Sequence, residues 1–249
     1  MSLILAIETA TSVCSVAFAR NGNLLSIREI TTPNAHSSIL TILIEELFRE
    51  AGLRYADLDA IAVSMGPGSY TGLRIGVATA KGLCYGLDKP LIAIPTLQAM
   101  AVGIRFKVQG SRFKANKSIS KIENRKSKIE NLFCPMIDAR RMEVYCAVYN
   151  EDLKEVFSTD ARIIDENSFR ELLTGHILIF AGDGAAKCKP FLASHHHTRF
   201  IDDFQASSQY MISLAEKRFQ SNQFEDLAYF EPYYLKDFVA GKPKVKGLS

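Results

Sequence analysis

The sequence predicts an α/β protein built from two related lobes, and three observations support this fold class. The pattern of apolar segments predicts the order βββαβα twice, once before residue 105 and once after residue 131. An acidic residue ends the first predicted strand of each copy, Glu8 in the first and Asp138 in the second. A polar, basic segment separates the copies, which divides the chain into residues 1–104, 105–131 and 132–249. We also expect that the C-terminal segment can pack back on the first lobe.

The first lobe is predicted to begin with three strands. Asn21-Gly22 is a strong signal for a two-residue hairpin turn between the second and third of them. Apolar periodicity and turn residues then give the complete order: strands 3–7, 13–19 and 24–30, helix 34–51, strand 59–65, helix 70–85, strand 91–94 and a helix from Thr96.

The second lobe follows the same order with weaker signals. Its predicted elements are strands 132–137, 142–149 and 152–159, helix 166–173, strand 177–180 and helix 207–219. The two copies share this organisation and not their residue identities, so the sequence predicts related lobes without close internal duplication.

The composition excludes several classes of protein. The chain has 249 residues, of which 47% are hydrophobic and 23% charged, as in an ordinary globular protein. Its apolar runs reach about five residues, against the ~20 of a membrane helix, and no secretory signal is visible. Five cysteines without a CxxC pair favour free thiols. We therefore expect a cytoplasmic protein that does not enter the membrane.

The net positive charge of the chain comes from the segment between the copies. Residues 105–131 hold nine basic and two acidic side chains, a net charge of +7. Because the whole chain carries +3, the remainder carries −4. A flexible solvated linker is the preferred interpretation, and an RNA-binding segment is the alternative.

A glycine-rich turn, Gly66-Pro-Gly-Ser-Tyr-Thr-Gly72, follows a predicted strand and opens a helix. Such a turn can cradle phosphate, but it lacks the lysine of a Walker A motif, and its third glycine is one residue late for GxGxxG. On the helix, Gly72, Gly76 and Ala80 lie four apart on one face. We therefore prefer close helix packing, with phosphate binding as the alternative.

The helix predicted at 34–51 carries one apolar residue too many for a single buried stripe. Ile42 lies outside the stripe that begins at Leu40, and Ile39 lies at its edge. Ile42 is either a single exposed isoleucine, which is common, or part of a second contact surface. Together, the helices 34–51 and 70–85 suggest a partner interface.

A nucleotide site is the most specific chemistry that the residues suggest. Glu8, Thr9 and Thr11 follow the first strand and, with Asp138, could position Mg²⁺ and phosphate, with Gly182-Asp-Gly184 as a remnant adenine-side turn. The preferred interpretation is that both carboxylates accept backbone amides at strand ends. No HExxH and no Cys/His set at zinc spacing occurs. We predict no metal, no cofactor and no catalytic residue.

Several segments resemble the TsaB (YeaZ) family of bacterial tRNA threonylcarbamoyladenosine biosynthesis subunits. They extend over nearly the whole chain, although residues 105–131 have no recognised counterpart and the second lobe matches more weakly. The segments are ILAIETAT with CSVAF, GPGSYTGLRIG, KGL at 81–83, IPTLQAMA at 94–101, IDARRMEVY at 137–145 and EPYYLKD at 231–237.

This resemblance implies a two-lobed actin/Hsp70/sugar-kinase-like (ASKHA) fold with ribonuclease H-like lobes, the second degenerate. It implies a non-catalytic subunit that binds and stabilises a TsaD-like enzyme, which modifies the adenosine 3′ of the anticodon. A TsaE-like ATPase joins the pair, tRNA is reached through the complex, and the chain alone forms a homodimer. The helix after Ile94 lacks the histidine pair of the catalytic relative. The alternative is a kinase-like nucleotide hydrolase that uses Glu8 and Asp138.

The resemblance also implies that helices 34–51 and 70–85 pack against the equivalent helices of the related subunit. The candidate contacts are His36, Ile39, Ile42, Tyr70, Gly72, Arg74, Gly76, Val77, Ala80 and Lys81. Glu8, Thr9, Thr11 and Asp138 would then form a vestigial nucleotide site.

Overall fold

The computed structural model describes residues 1–31, 36–113 and 129–236. The first part of the chain forms β1 (Leu3–Glu8), β2 (Val13–Arg20), β3 (Asn23–Thr31), α1 (His36–Ala51), β4 (Ala60–Gly66), α2 (Tyr70–Leu87), β5 (Leu91–Pro95) and α3 (Thr96–Phe113). The second part forms β6 (Glu130–Asp138), β7 (Glu143–Tyr149), β8 (Glu155–Ile163), α4 (Arg170–Leu173), β9 (His176–Ala181), α5 (Asp183–Leu192), β10 (Thr198–Ile201) and α6 (Ile212–Gln220).

The two lobes have the same sheet topology. The strand order is β3-β2-β1-β4-β5 in the first sheet and β8-β7-β6-β9-β10 in the second. In each sheet the first three strands are antiparallel and the last two run parallel to the first strand. The predicted two-lobed actin/Hsp70/sugar-kinase-like fold, with ribonuclease H-like lobes, is therefore confirmed.

The second lobe is the reduced copy. Its α4 has four residues where α1 has 16, and its α5 has ten where α2 has 18. The sequence predicted α4 at 166–173 and missed α5 and β10. In α5 the buried stripe consists of small or isolated apolar residues, and Pro190 interrupts the helical pattern, so its periodic signal is weak.

Both faces of β1, the central strand of the first sheet, are buried. Along β1, Leu3, Leu5 and Ile7 face a core shared with α1 and α2. Ile4 and Ala6 face the opposite core, which α3 and α6 help to build. The continuous apolar run of β1 follows from this burial on both faces.

The last helix of each half covers the other half. In α3, Leu97, Met100 and Ile104 pack against residues of the second sheet such as Phe133. Conversely, Ala215 of α6 packs against the first sheet. The helix predicted at 207–219 as part of the second lobe therefore lies on the first sheet, where residues 208–211 form a 3₁₀ turn before α6.

The boundaries of the predicted basic segment differ in the structure. The helix α3 continues to Phe113 because its apolar stripe still covers the second sheet at Val108, and β6 begins at Glu130. Residues 105–113 and 130–131 thus belong to regular elements. The linker prediction for residues 114–128 lies outside the described residues.

A C-terminal strap, residues 221–236, crosses the first lobe. The Glu225 amide donates to the Leu91 carbonyl oxygen at 2.9 Å, and the Tyr233 amide donates to that of Met65 at 2.7 Å. Phe230 is buried in the core beneath α1 and α2. Lys236 then forms an ion pair with Glu143 of the second lobe. In the described ranges no helix is long and apolar enough to cross a membrane.

Candidate partner interface and inter-lobe cleft

The helices α1 and α2 lie side by side on the outer face of the first sheet. The predicted stripe of α1 is buried, from Leu40 to Phe48. Ile42 points away from this stripe and is 52% exposed, and Ile39 is half-buried. An apolar side chain that the core does not use therefore lies on the outer surface.

The small-residue stripe of α2 is buried within the chain itself. A methyl group at Gly72 would overlap the Thr9 carbonyl oxygen, and one at Gly76 would overlap the Thr9 hydroxyl. The same face carries Val77 and Ala80 into the core. The predicted close approach of a backbone to this stripe is thus correct, but that backbone belongs to the turn at residues 8–11 of the same chain. Gly72, Gly76, Val77 and Ala80 do not form an outer surface.

Three other predicted contacts are engaged inside the chain. His36 is buried, with its Nε2 2.9 Å from the Thr11 carbonyl oxygen. The Tyr70 ring lies 4.6 Å from that of Tyr234. Lys81 donates to the carbonyl oxygens of Ala228 and Phe230 in the strap, at 3.3 and 2.9 Å. Ile42 and Arg74 remain exposed.

The outward face of α2 carries residues that the sequence reasoning missed. Ala78, Gly82 and Tyr85 are exposed, and Tyr85 reaches 85%. A side chain at Gly82 or Gly86 would meet no atom within 4 Å. Glycine in a helix costs roughly 1 kcal/mol relative to alanine. Two glycines four residues apart in a predicted helix, Gly82 and Gly86, were therefore an available sequence signal for a small-residue surface. We define the docking face as Ile39, Ile42, Arg74, Ala78, Gly82 and Tyr85.

The first strand of the first lobe ends in a buried carboxyl group. Glu8 is 1% exposed, and its Oε1 accepts the Ala10 amide at 2.6 Å. Its Oε2 has no hydrogen-bond partner among the described residues. Burial raises the pKa of Glu8 from 4.5 to about 7. The neighbouring Thr9 hydroxyl donates to the Gly72 carbonyl oxygen at 2.9 Å, which holds the turn beneath α2.

Asp138 makes the same local bond in a different environment. It accepts the Arg140 amide at 2.8 Å, two residues onward as Glu8 does. Its side chain is 49% exposed and forms an ion pair with Lys187. Both carboxylates therefore hold the turn after a strand.

A cleft of about 210 Å³ lies between the lobes. Thr11 lines it from the first lobe and Gly182 and Asp183 from the second, whereas Glu8, Thr9 and Asp138 do not line it. Burial raises the pKa of Asp183 above its ordinary value. The described lining includes the carboxyl groups of Asp183 and Asp203 and no lysine or arginine. The described lining therefore offers no cationic side chain to a phosphate group.

No group of three or more His, Cys, Asp or Glu side chains that could hold a metal ion occurs in residues 1–31, 36–113 and 129–236. The five cysteines are free and buried. Burial raises the pKa of the Cys14 thiol to about 11, so it is protonated at neutral pH and a poor nucleophile.

The chain is similar to known proteins over its whole length and, separately, over its first lobe. It is 29% identical to the tRNA threonylcarbamoyladenosine biosynthesis protein TsaB of Escherichia coli over 246 residues, which cover 96% of each chain. YeaZ from Pseudomonas aeruginosa superimposes with a TM-score of 0.76 at 24% identity, covering 94% of this chain and 100% of that one.

The second set of matches is to an enzyme family. Residues 29–114 match the family model TsaD, tRNA N6-adenosine threonylcarbamoyltransferase. The threonylcarbamoyltransferase of Erythrobacter litoralis is 45% identical over 71 residues, 28% of this chain and 21% of that protein. The family model includes α1 and α2.

Proposed function

We propose, from the premise that the chain belongs to the TsaB (YeaZ) family, that it is a non-catalytic subunit in the synthesis of threonylcarbamoyladenosine (t6A) in tRNA. In this role it binds and stabilises a TsaD-like threonylcarbamoyltransferase, and a TsaE-like ATPase and the tRNA join through that pair. The observation that carries the proposal is the docking face, an apolar and small-residue surface across α1 and α2 that the described chain leaves uncovered.

A related partner suits this face. The segment that resembles the threonylcarbamoyltransferase family, residues 29–114, contains both helices of the docking face. Two related chains that present equivalent helices can pair about a pseudo-twofold axis, as identical chains pair about a true one. The same surface therefore also supports a homodimer when the chain is alone.

The absence of chemistry in this subunit is supported by the inter-lobe cleft. Its described lining offers no lysine or arginine to the phosphates that a kinase-like hydrolase would bind. Glu8, the residue that the alternative requires, lies buried away from that lining. We therefore expect no ATP turnover by the purified chain.

The test changes the docking face without touching the core. In Ile42→Glu, a carboxylate replaces an exposed isoleucine, and we expect binding to the TsaD-like subunit to weaken at least about tenfold because the charge must be buried at the interface. Ile163→Glu is the matched control, because Ile163 is 73% exposed on β8. Val77 is unsuitable, because a charge there would enter the core.

The measurement is co-purification and titration calorimetry with the partner, with circular dichroism to verify the fold of both variants. Equal affinity of the two variants for the partner would show that the docking face is not the binding surface. A separate reconstitution with partner, TsaE-like ATPase, ATP and tRNA, with and without this chain, tests the subunit role. Full modification without the chain would overturn it.

A further inference from the structure

A buried turn, residues 8–11, joins the two helices of the docking face where each of them starts. The helix α1 begins at His36, whose Nε2 lies 2.9 Å from the Thr11 carbonyl oxygen. The helix α2 follows its N-cap residue Ser69, whose amide donates to the Ala10 carbonyl oxygen at 2.7 Å. The 8–11 turn therefore fixes the starting positions of both helices.

Three of the six docking-face residues lie close to these starting positions. Ile39 and Ile42 are three and six residues after the start of α1, and Arg74 is four residues after the start of α2. At Gly72 even a methyl group would overlap the Thr9 carbonyl oxygen, so α2 and the turn are already in close contact. A movement of the turn would therefore displace these docking-face side chains relative to one another.

The turn carries a buried carboxyl group with one oxygen that lacks a partner. The Glu8 Oε1 accepts the Ala10 amide at 2.6 Å, whereas Oε2 has no hydrogen bond among the described residues. A neutral carboxyl group is tolerated at such a position, but a carboxylate is penalised because it is removed from bulk solvent with only one oxygen satisfied. Burial accordingly raises the pKa of Glu8 from 4.5 to about 7.

The described groups around this carboxyl group do not offset its charge. From β4 the Ser64 hydroxyl lies near it, and from β2 the Cys14 thiol faces it, with a pKa raised to about 11 first by burial and then by the charge of Glu8. From α1, His36 is engaged with the Thr11 carbonyl oxygen. Among the described residues no lysine, arginine or second carboxylate contributes to the pKa of Glu8. The charge on this group thus depends on the pH of the solution.

We infer that binding of the partner at the docking face is linked to protonation of Glu8. In the protonated form the turn stays packed beneath α2, and both helices keep the placement that the partner recognises. In the ionised form the carboxylate gains hydration when the turn moves outward, which loosens the bonds from Thr11 to His36 and from Ala10 to Ser69. The partner therefore binds the protonated chain more tightly, and binding takes up a proton from solution. This inference rests on the proposed function, because it concerns the regulation of the same face.

The experiment is titration calorimetry of the full-length chain with the TsaD-like subunit at pH 7, in two buffers that differ in ionisation enthalpy. Since the pKa of Glu8 is about 7, we expect an uptake of about half a proton per complex. We also expect an affinity about tenfold weaker at pH 8 than at pH 6. In Glu8→Gln the uptake and this pH dependence should be lost, and the affinity at both pH values should be close to that of the wild type at pH 6.

Asp138→Asn is the matched control from the second lobe. Asp138 accepts the amide two residues onward, as Glu8 does, but its side chain is half exposed. This variant should retain the proton uptake and the pH profile of the wild type, which separates the effect of Glu8 from that of groups on the partner. Circular dichroism at each pH verifies the fold of both variants.

Hydrogen exchange of the wild-type chain alone provides a second measurement that needs no variant. After correction for the intrinsic rate, amides in the first turns of α1 and α2 should exchange faster at pH 8 than at pH 6. Tight binding without proton uptake, or identical pH profiles of the wild type and Glu8→Gln, would overturn this inference and leave the proposed function intact. If the chain binds the partner at no pH, the proposed function fails and this inference fails with it.

Discussion

The two lobes share one strand order but differ in the burial of the carboxyl group that ends their first strand. Glu8 and Asp138 each accept the amide two residues onward, yet Glu8 is buried and Asp138 is half exposed. In the first lobe the following turn is pressed beneath α2, where Gly72 and Gly76 leave room for Thr9. The same local bond thus occurs in a buried turn in the first lobe and in a partly solvated turn in the second.

The helices show the same contrast on a larger scale. In the first lobe, α1 and α2 are long enough to bury one face and present another to solvent. The four residues of α4 and the ten of α5 cover part of their sheet and present little further surface. The outward surface to which we assign partner binding is thus a feature of the first lobe only.

The largest effect is expected for Gly72→Ala, which disrupts the packing of the 8–11 turn beneath α2. Its methyl group would overlap the Thr9 carbonyl oxygen, so we expect a loss of about 3 kcal/mol or more in the free energy of unfolding. Urea denaturation followed by circular dichroism measures this loss.

Gly82→Ala on the same helix is the control for that change. Nothing lies within 4 Å of the added methyl group, and we expect a gain of up to about 1 kcal/mol from helix propensity. In the second lobe Gly184→Ala would place its methyl 2.9 Å from the Ile137 carbonyl carbon, with an intermediate loss. Equal stability of all three variants would contradict the account of the turn.

The next largest effect concerns the buried carboxyl group. Because burial raises the pKa of Glu8 to about 7, the folded chain retains a proton that the unfolded chain releases as the pH rises above about 4.5. Ionisation therefore penalises the folded state increasingly between about pH 4.5 and 7, and the penalty reaches roughly 3 kcal/mol above that range.

Glu8→Gln removes this penalty. We expect the variant to be more stable than the wild type at pH 8 and nearly equal to it at pH 5, as measured by thermal unfolding at both values. Asp138→Asn provides the comparison from the other lobe, at the position with the same local bond. If the stability of Glu8→Gln relative to the wild type does not increase from pH 5 to pH 8, the result would argue against an ionisable buried group at this position.

The smallest effect is expected at the exposed pair of the second lobe. Asp138 and Lys187 form a partly solvated ion pair, and such pairs contribute about 0–1 kcal/mol. Asp138→Asn should therefore lower stability by less than about 1 kcal/mol, and less still in high salt. Denaturation at two salt concentrations checks this, and a loss comparable to that of Gly72→Ala would erase the contrast between the lobes.

Much of the fold follows from local sequence patterns. The strand predicted at 13–19 is β2, Val13–Arg20, and the helices predicted from residues 70 and 96 begin at Tyr70 and Thr96. These elements have strong periodicity and clear boundary residues. The helix α5 was missed because its buried side chains are small, and the position of α6 was assigned to the wrong sheet because that position depends on contacts distant in sequence.

The candidate interface was predictable only in part. The pattern of α1 correctly left Ile42 outside the buried stripe. The stripe of Gly72, Gly76 and Ala80 correctly indicated close packing, but no local pattern could show that Thr9 and the chain's own core would occupy it. Likewise, nothing local to Lys81 indicates that the strap, about 150 residues later, takes up its ammonium group.

The exchange of terminal helices between the lobes has a consequence for synthesis of the chain. While the ribosome makes residues 1–113, β1 and β4 have their outer face covered, but much of the inner face waits for α6. The inner residues Ile4 and Ala6 therefore stay partly open until residue 220 has emerged from the exit tunnel. A gene cut between the lobes would accordingly yield one fragment without α6 and one without α3, each with part of its sheet uncovered.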